Sequence, residues 1–256
     1  MISQIKFYLS ELITLHNLRL KAIYGNTKAG KIWIAIKPMI QISFMGYVFK
    51  NVINIECENY IAYISYNLMM LNFISLALGE SKILIFSNVS IISRFKIKKS
   101  IWAMVCVFNN LYIYIISLFA CLLMVAVFDK VPLHWNMAFY PLYLLYACTV
   151  LFFVIHSIAV IYPYFKDLGF LIDNVLMISL WVTPIFYPIE KMPEMMFKLS
   201  YFNPFYILIA PITRLMHQGL LPTLSMHISM LVLLIVSFVM FIIVQAKLEK
   251  RLIYKC

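Results

Sequence analysis

Residues 24–33, YGNTKAGKIW, have the residue types and spacing of a phosphate-binding loop: Gly25, then Gly30 and Lys31. In such a loop backbone N–H groups cradle the phosphates, the lysine reaches them, and a following Ser or Thr hydroxyl holds Mg²⁺. Position 32 here is Ile, so that hydroxyl is missing. The preceding LITLHNLRLKAIYG carries Arg19 and Lys21 where a buried strand would be apolar, and a long apolar run begins at Ile32. No apolar strand ending in Asp follows to complete a nucleotide site. The stretch reads as a basic, glycine-hinged turn leading into a membrane span.

Other reactive residues are scattered. His16, His134, His217 and His227 form no H-x-x-x-H pair, and His156 lies in an apolar run, where histidine is more often a hydrogen-bonded core residue than a ligand. Cys57, Cys106, Cys121, Cys148 and Cys256 form no C-x-x-C, so neither a disulfide framework nor a metal site is expected. There are no paired membrane carboxylates, no Ser/His/Asp set and no Asp-rich diphosphate motif. The sequence offers no catalytic constellation and calls for no cofactor.

The elements that carry these residues must be membrane helices. Of 256 residues, 64% are hydrophobic and 12% charged, and the mean hydropathy is +0.93, which excludes an ordinary soluble domain. That length accommodates about six or seven helices of ~20 residues, and one membrane domain over residues 1–256. Apolar segments fall at residues 32–49, 60–78, 101–128, 141–162, 170–187 and 223–246. The second is the weakest, interrupted by Asn67 and Asn72, and the third exceeds one crossing, so it tilts or extends past the interface. The 31 residues before the first span, with five Lys/Arg and Glu11, are too long and polar for a signal peptide. Lys and Arg number fifteen in residues 1–31, 79–100, 163–169 and the tail, against five in the alternate connections. This asymmetry predicts six spans with both termini in the cytoplasm, and it explains the basic balance without nucleic acid.

Three connecting segments carry a pattern. In residues 1–31, Ile5, Leu9, Leu12, Ile13, His16 and Leu20 recur at helical spacing, giving an amphipathic helix that either lies on the inner membrane surface or packs on a partner. Residues 79–100 interleave large apolar and basic side chains, fitting either a docking surface for a soluble protein or an interfacial helix held by anionic lipid. Residues 188–222 stay apolar on the outer side. Pro184, Pro188, Pro193, Pro204 and Pro211 are expected to break any continuous helix there. Short re-entrant helices before the last span fit best, with a pair lying flat at the interface as the second reading. Lys37, about a turn and a half inside the first span, is expected to snorkel to the inner phosphates. Lys166 and Asp167, with Asp173 beyond them, read as an inner-surface ion pair or as helix positioning near a substrate entrance.

Several of these stretches share a family pattern: RLKAIYGNTKAGKIWIAIKPMI with Gly30, Trp33 and Pro38; SNVSIISRFKIKKSI; YFKDLGFLIDNVLMISLWVTPIFYP; and MPEMMFKLSYFNPFY. Over nearly its whole length the chain resembles the permease subunits of type-2 ABC exporters that move lipid-linked polysaccharides such as O-antigens and teichoic acids. It departs from the pattern at Phe95-Lys96-Ile97, where the family often has Phe-Pro-Arg, and at Asn67–Asn72, where a Gly-Leu-x-Pro-Trp is common.

The resemblance implies a homodimer of six-span subunits in the bacterial inner membrane, bound to two copies of a separate ABC ATPase that holds ATP and Mg²⁺. It implies that residues 83–99, with Ile83, Phe86, Asn88, Ile91, Ile92, Arg94 and Phe95, include the helix coupling to that ATPase. A smaller contact would lie at residues 164–169, with Lys166 and Asp167. Arg19, Lys21 and Lys28 would meet the pyrophosphate end of a lipid-linked glycan, whose sugars would slide past aromatic rings. Helices at residues 195–202 and 204–217 would form an outer gate, entered through Thr183, Pro184, Tyr187 and Pro188 and turning at Asn203 and Pro204. Alternative readings are an exporter of drugs, small lipids or capsule polymer, a membrane transferase acting on polyprenyl phosphate, and a non-transporting anchor for a cytoplasmic enzyme. The transferase needs clustered acidic residues, for which Asp167 and Asp173 are a poor set.

Overall fold

Apolar runs of twenty or more residues leave the backbone no solvent to bond with, so each closes its own hydrogen bonds as a helix. The computed structural model describes residues 13–14, 16–21, 25, 30–85, 99–129, 134–189 and 192–248, and among them it is all-helical. Helix α1, Trp33–Tyr47, is opened by a 3₁₀ turn at Gly30–Ile32 and extended by a π turn at Val48–Val52. Then come α2, Tyr60–Ser81; α3, Lys99–Phe128; and α4, Tyr140–Ile161, entered through a 3₁₀ turn at Trp135–Phe139. After α5, Leu168–Val182, two shorter helices follow, α6, Glu194–Ser200, and α7, Pro204–His217; α8, Leu224–Lys247, is last.

Among the described residues five helical stretches are long and apolar enough to cross a membrane: Gly30–Val52, Tyr60–Ser81, Lys99–Phe128, Trp135–Ile161 and Leu224–Lys247. The segment expected as a fifth span, residues 170–187, is helical only to Val182, because Thr183 turns extended ahead of Pro184. Fifteen residues rise about 22 Å, short of a ~30 Å hydrocarbon core. The thirty residues of α3 rise about 45 Å, in line with a helix that tilts or overshoots.

The hub is α2, which packs against α1, α3, α4, α5 and α7. The span read as weakest from its two asparagines is therefore the most enclosed. Asn67 donates to Tyr63 O at 3.0 Å and accepts from Thr213 Oγ1 on α7, while Asn72 donates to Gln41 on α1 at 3.0 Å. These amides tie helices together instead of interrupting one.

Helices α2 and α3 run antiparallel. At one end the Asp129 carboxylate, just past α3, accepts the N–H of Ala62 in the first turn of α2 at 2.7 Å, and at the other Asn110 donates to Glu80 at 2.8 Å. The first contact places negative charge at the N-terminus of α2, where the left-handed Asn59 provides no side-chain cap. Helices α4 and α8 run parallel: the hydroxyl of Tyr143 meets His227 Nε2 at 3.1 Å, that of Tyr146 donates to Met230 O at 2.7 Å, and that of Tyr164 donates to Leu248 O at 2.9 Å.

Two prolines lie inside helices. Pro38 lacks the N–H that would bond Ile34 O, and Ser117 Oγ on α3 donates to that oxygen at 3.0 Å. Pro211 was expected to break its helix, yet α7 continues through it, with Pro204 at the helix start, where a missing N–H does no harm.

Candidate functional site

The proline-broken segment converges on the first turns of α2. Tyr60, Tyr63 and Asn67 fall at helical spacing along one face, and residues 183–187 run beside them. The Tyr60 hydroxyl donates to Phe186 O at 2.7 Å, and the Tyr63 hydroxyl reaches Pro184 O at 3.1 Å and Tyr187 O at 2.8 Å. Proline and the extended backbone leave these carbonyls without helical partners, so the two tyrosines satisfy them. Phe186 stacks on Phe49 at 4.6 Å between centroids, and Thr183, Ile185 and Phe186 are buried. The Thr183 hydroxyl accepts from Asn203 Nδ2 at 3.0 Å, and Asn203 Oδ1 caps α7 by accepting from Phe205 N at 3.0 Å. At the far end of α7, His217 Nε2 bonds Glu58 O at 3.0 Å, and its ring meets the edge of Tyr63.

The pair α6 and α7 divides sharply. Helix α7 buries Phe205, Tyr206, Ile209, Ile212 and Leu215 against α2, α4 and α8. Helix α6 buries only Ser200 and exposes Met195, Met196 and Leu199. A cavity of about 70 Å³ lies between the clamp and α7, lined by Tyr63, Asn67, Pro184, Tyr206, Thr213 and Arg214 among others.

Of the expected gate residues, Thr183, Pro184, Tyr187, Asn203 and Pro204 are thus brought together, and half-buried Pro188 follows directly in the chain. Tyr60, Tyr63, Thr213 and His217 belong to the same cluster and escaped the sequence reading. The signal was present in Tyr60, Tyr63 and Asn67 at intervals of three and four, a polar row on one face of a span.

The opposite end of the bundle is held by ions. Arg19 pairs with Glu80, and Lys82 pairs with Asp173. Asp167 is exposed just before α5, where its backbone carbonyl accepts from Leu171 N at 3.1 Å; Lys166 is exposed beside it. Of the basic residues expected at a phosphate entry, Arg19 is committed to Glu80, Lys21 is exposed, and Lys28 lies outside the described residues. Gly25 closes the helical stretch before it: its N–H donates to Lys21 O at 2.8 Å, and a Cβ would sit 2.3 Å from that oxygen. In residues 16–21 His16 and Leu20 are buried, His16 bonding Asn109 between the rings of Phe108 and Tyr112. That face of the amphipathic helix is therefore used within the chain. Ile83 is exposed, while Phe86, Asn88, Ile91, Ile92, Arg94 and Phe95 lie outside the described residues. Among the described residues no three of His, Cys, Asp and Glu converge as a metal site.

The helical bundle thus carries a polar clamp at one end and ion pairs at the other. Across 187 residues the chain is 21% identical to the O-antigen export system permease protein RfbA of Myxococcus xanthus, an overlap of 73% of this chain and 72% of that one. Residues 11–217 match the family described as ABC-2 type transporter. With four-fifths of its length inside that match, the chain belongs to the ABC-2 type transporter family, as a type-2 ABC permease subunit.

Proposed function

We propose that this permease moves a lipid-linked polysaccharide of the O-antigen kind across the bacterial inner membrane, as a homodimer driven by a separate ABC ATPase. The observation that carries the reading is the proline-broken outer segment. Buried α7 and the 183–187 turn are hydrogen-bonded to the first two turns of the hub helix, at the end proposed to face outward, an arrangement suited to a gate that opens without dismantling the bundle. The relative named for O-antigen export supports the substrate class. The parallel course of α4 and α8 supports six crossings with both termini cytoplasmic, because the chain between them must return once, and α5 with the turn after it supplies that passage. Helix α5 packs chiefly on α2 and leaves Phe170, Leu171, Met177, Ile178 and Trp181 exposed, an apolar face for a second copy. Residues 83–99 remain the contact for the ATPase, and Arg19, Lys21 and Lys28 the inner rim met by the lipid pyrophosphate.

The test is co-purification with the ATPase encoded nearest to the chain, followed by ATP turnover with and without purified lipid-linked glycan. A stable complex whose turnover rises with glycan, and which dissociates when Ile91 and Phe95 become Asp, is expected. A complex that ignores glycan but responds to amphipathic drugs would overturn the substrate class and leave the family assignment standing.

A further inference from the structure

Between α1, α2 and α3 lies a cavity of about 700 Å³, ten times the volume beside the outer clamp and within the ~300–1,000 Å³ range of small-ligand sites. Its lining is amphiphilic. Ile40, Met69 and Phe73 supply apolar surface, and Lys37 stands among them on α1. Trp33, Ile40 and Leu76 on its rim are exposed on the span helices, so the cavity opens sideways onto the bundle's apolar flank.

The charges of the lining do not cancel. Glu80 is its one carboxylate, and that group is already paired with Arg19 and hydrogen-bonded by Asn110. Lys37 forms no ion pair with any described residue. It sits seven residues past Gly30, about 10 Å along the helix, where an unneutralised ammonium is expensive. A phosphate oxygen relieves that charge through a charge-assisted hydrogen bond. An anion arriving through the lateral opening must carry its own hydrocarbon.

We infer that the cavity holds one anionic phospholipid of the surrounding bilayer, its phosphate on Lys37 and an acyl chain among Ile40, Met69 and Phe73. The inference does not depend on which substrate the permease carries, although Glu80 in the lining pairs with Arg19 of the proposed inner rim. The bound lipid fills the space between α1 and the hub and supplies the negative charge that the protein does not.

The experiment uses the full chain in phosphatidylcholine nanodiscs containing a minor fraction of phosphatidylglycerol, with retained lipid counted by native mass spectrometry. Phosphatidylglycerol is expected to stay on the wild-type chain in preference to phosphatidylcholine. Retention is expected to fall about fivefold in Lys37→Met, equivalent to the ~1 kcal/mol of one basic residue acting on anionic lipid, and to return in Lys37→Arg. Ser75→Phe, which fills the cavity while keeping the charge, is expected to expel the lipid without unfolding the chain. Equal retention by wild type and Lys37→Met, or undiminished retention in Ser75→Phe, overturns the inference. One-for-one displacement by a lipid-linked pyrophosphate also overturns it and assigns the cavity to the transported substrate.

Discussion

Helices α2 and α8 are close in length, 22 and 24 residues, yet they occupy opposite surroundings. Across its most apolar stretch α2 is 72% buried, whereas α8, the more apolar of the two, is 17% buried. In water the order would be reversed. In a bilayer, hydrocarbon tails solvate leucine as well as a protein core does, so an apolar helix gains little by hiding. A helix carrying asparagines and tyrosines gains more, because inside the bundle their polar groups find partners. Helix α8 accordingly buries only Met230, Ser237 and Val244, spaced by seven residues as in a left-handed coil.

Substitutions can break this contrast, the sharpest first. Phe73→Ala on α2, at a side chain 2% exposed, is expected to destabilise the bundle by up to ~3 kcal/mol. That is the low end of the range for aqueous cores, since the unfolded side chain remains in lipid and mainly the packing loss is felt. Unfolding in mixed detergent micelles measures it, and a negligible shift would refute the hub. Ser117→Ala is expected to cost ~1–3 kcal/mol by orphaning the Ile34 carbonyl. The double variant Pro38→Ala, Ser117→Ala should regain most of that loss by restoring the helical N–H donor. Asn67→Leu makes α2 more apolar yet is expected to weaken it by ~0.6–1.7 kcal/mol, and a mutant cycle with Thr213→Val should return the coupling. Val236→Ala on the exposed face of α8 should stay within ~0.5 kcal/mol. A loss as large as that of Phe73→Ala would mean that this face is covered by another chain.

Much of the architecture was legible because the membrane imposes it. Apolar length gave six spans, of which five are long and apolar enough to cross and the fifth in order is the shorter α5, and the prolines with Asn203 marked the segment that folds into α6 and α7. What sequence obscured were matters of partnership. Asn67 and Asn72 looked like interruptions, because the composition of one helix does not reveal that Thr213 and Gln41 stand opposite. Pro38 and Ser117 are separated by 79 residues and share one carbonyl oxygen, a relation no local pattern carries. The partner of Asp173 was likewise hidden, since its carboxylate turns toward Lys82, 91 residues earlier, just past the hub helix.

The clamp at the first turns of α2 has a property that its hydrogen bonds define. Tyr60 and Tyr63 grip Phe186, Pro184 and Tyr187 by backbone oxygens alone, which every residue type possesses. These bonds do not depend on the side chains of the residues that supply the oxygens, and burial of Thr183, Ile185 and Phe186 adds the side-chain part of the hold. Burial fixes Ile185 and Phe186, so any remodelling of the turn falls to half-buried Tyr187 and Pro188, with the hydrogen bonds left in place.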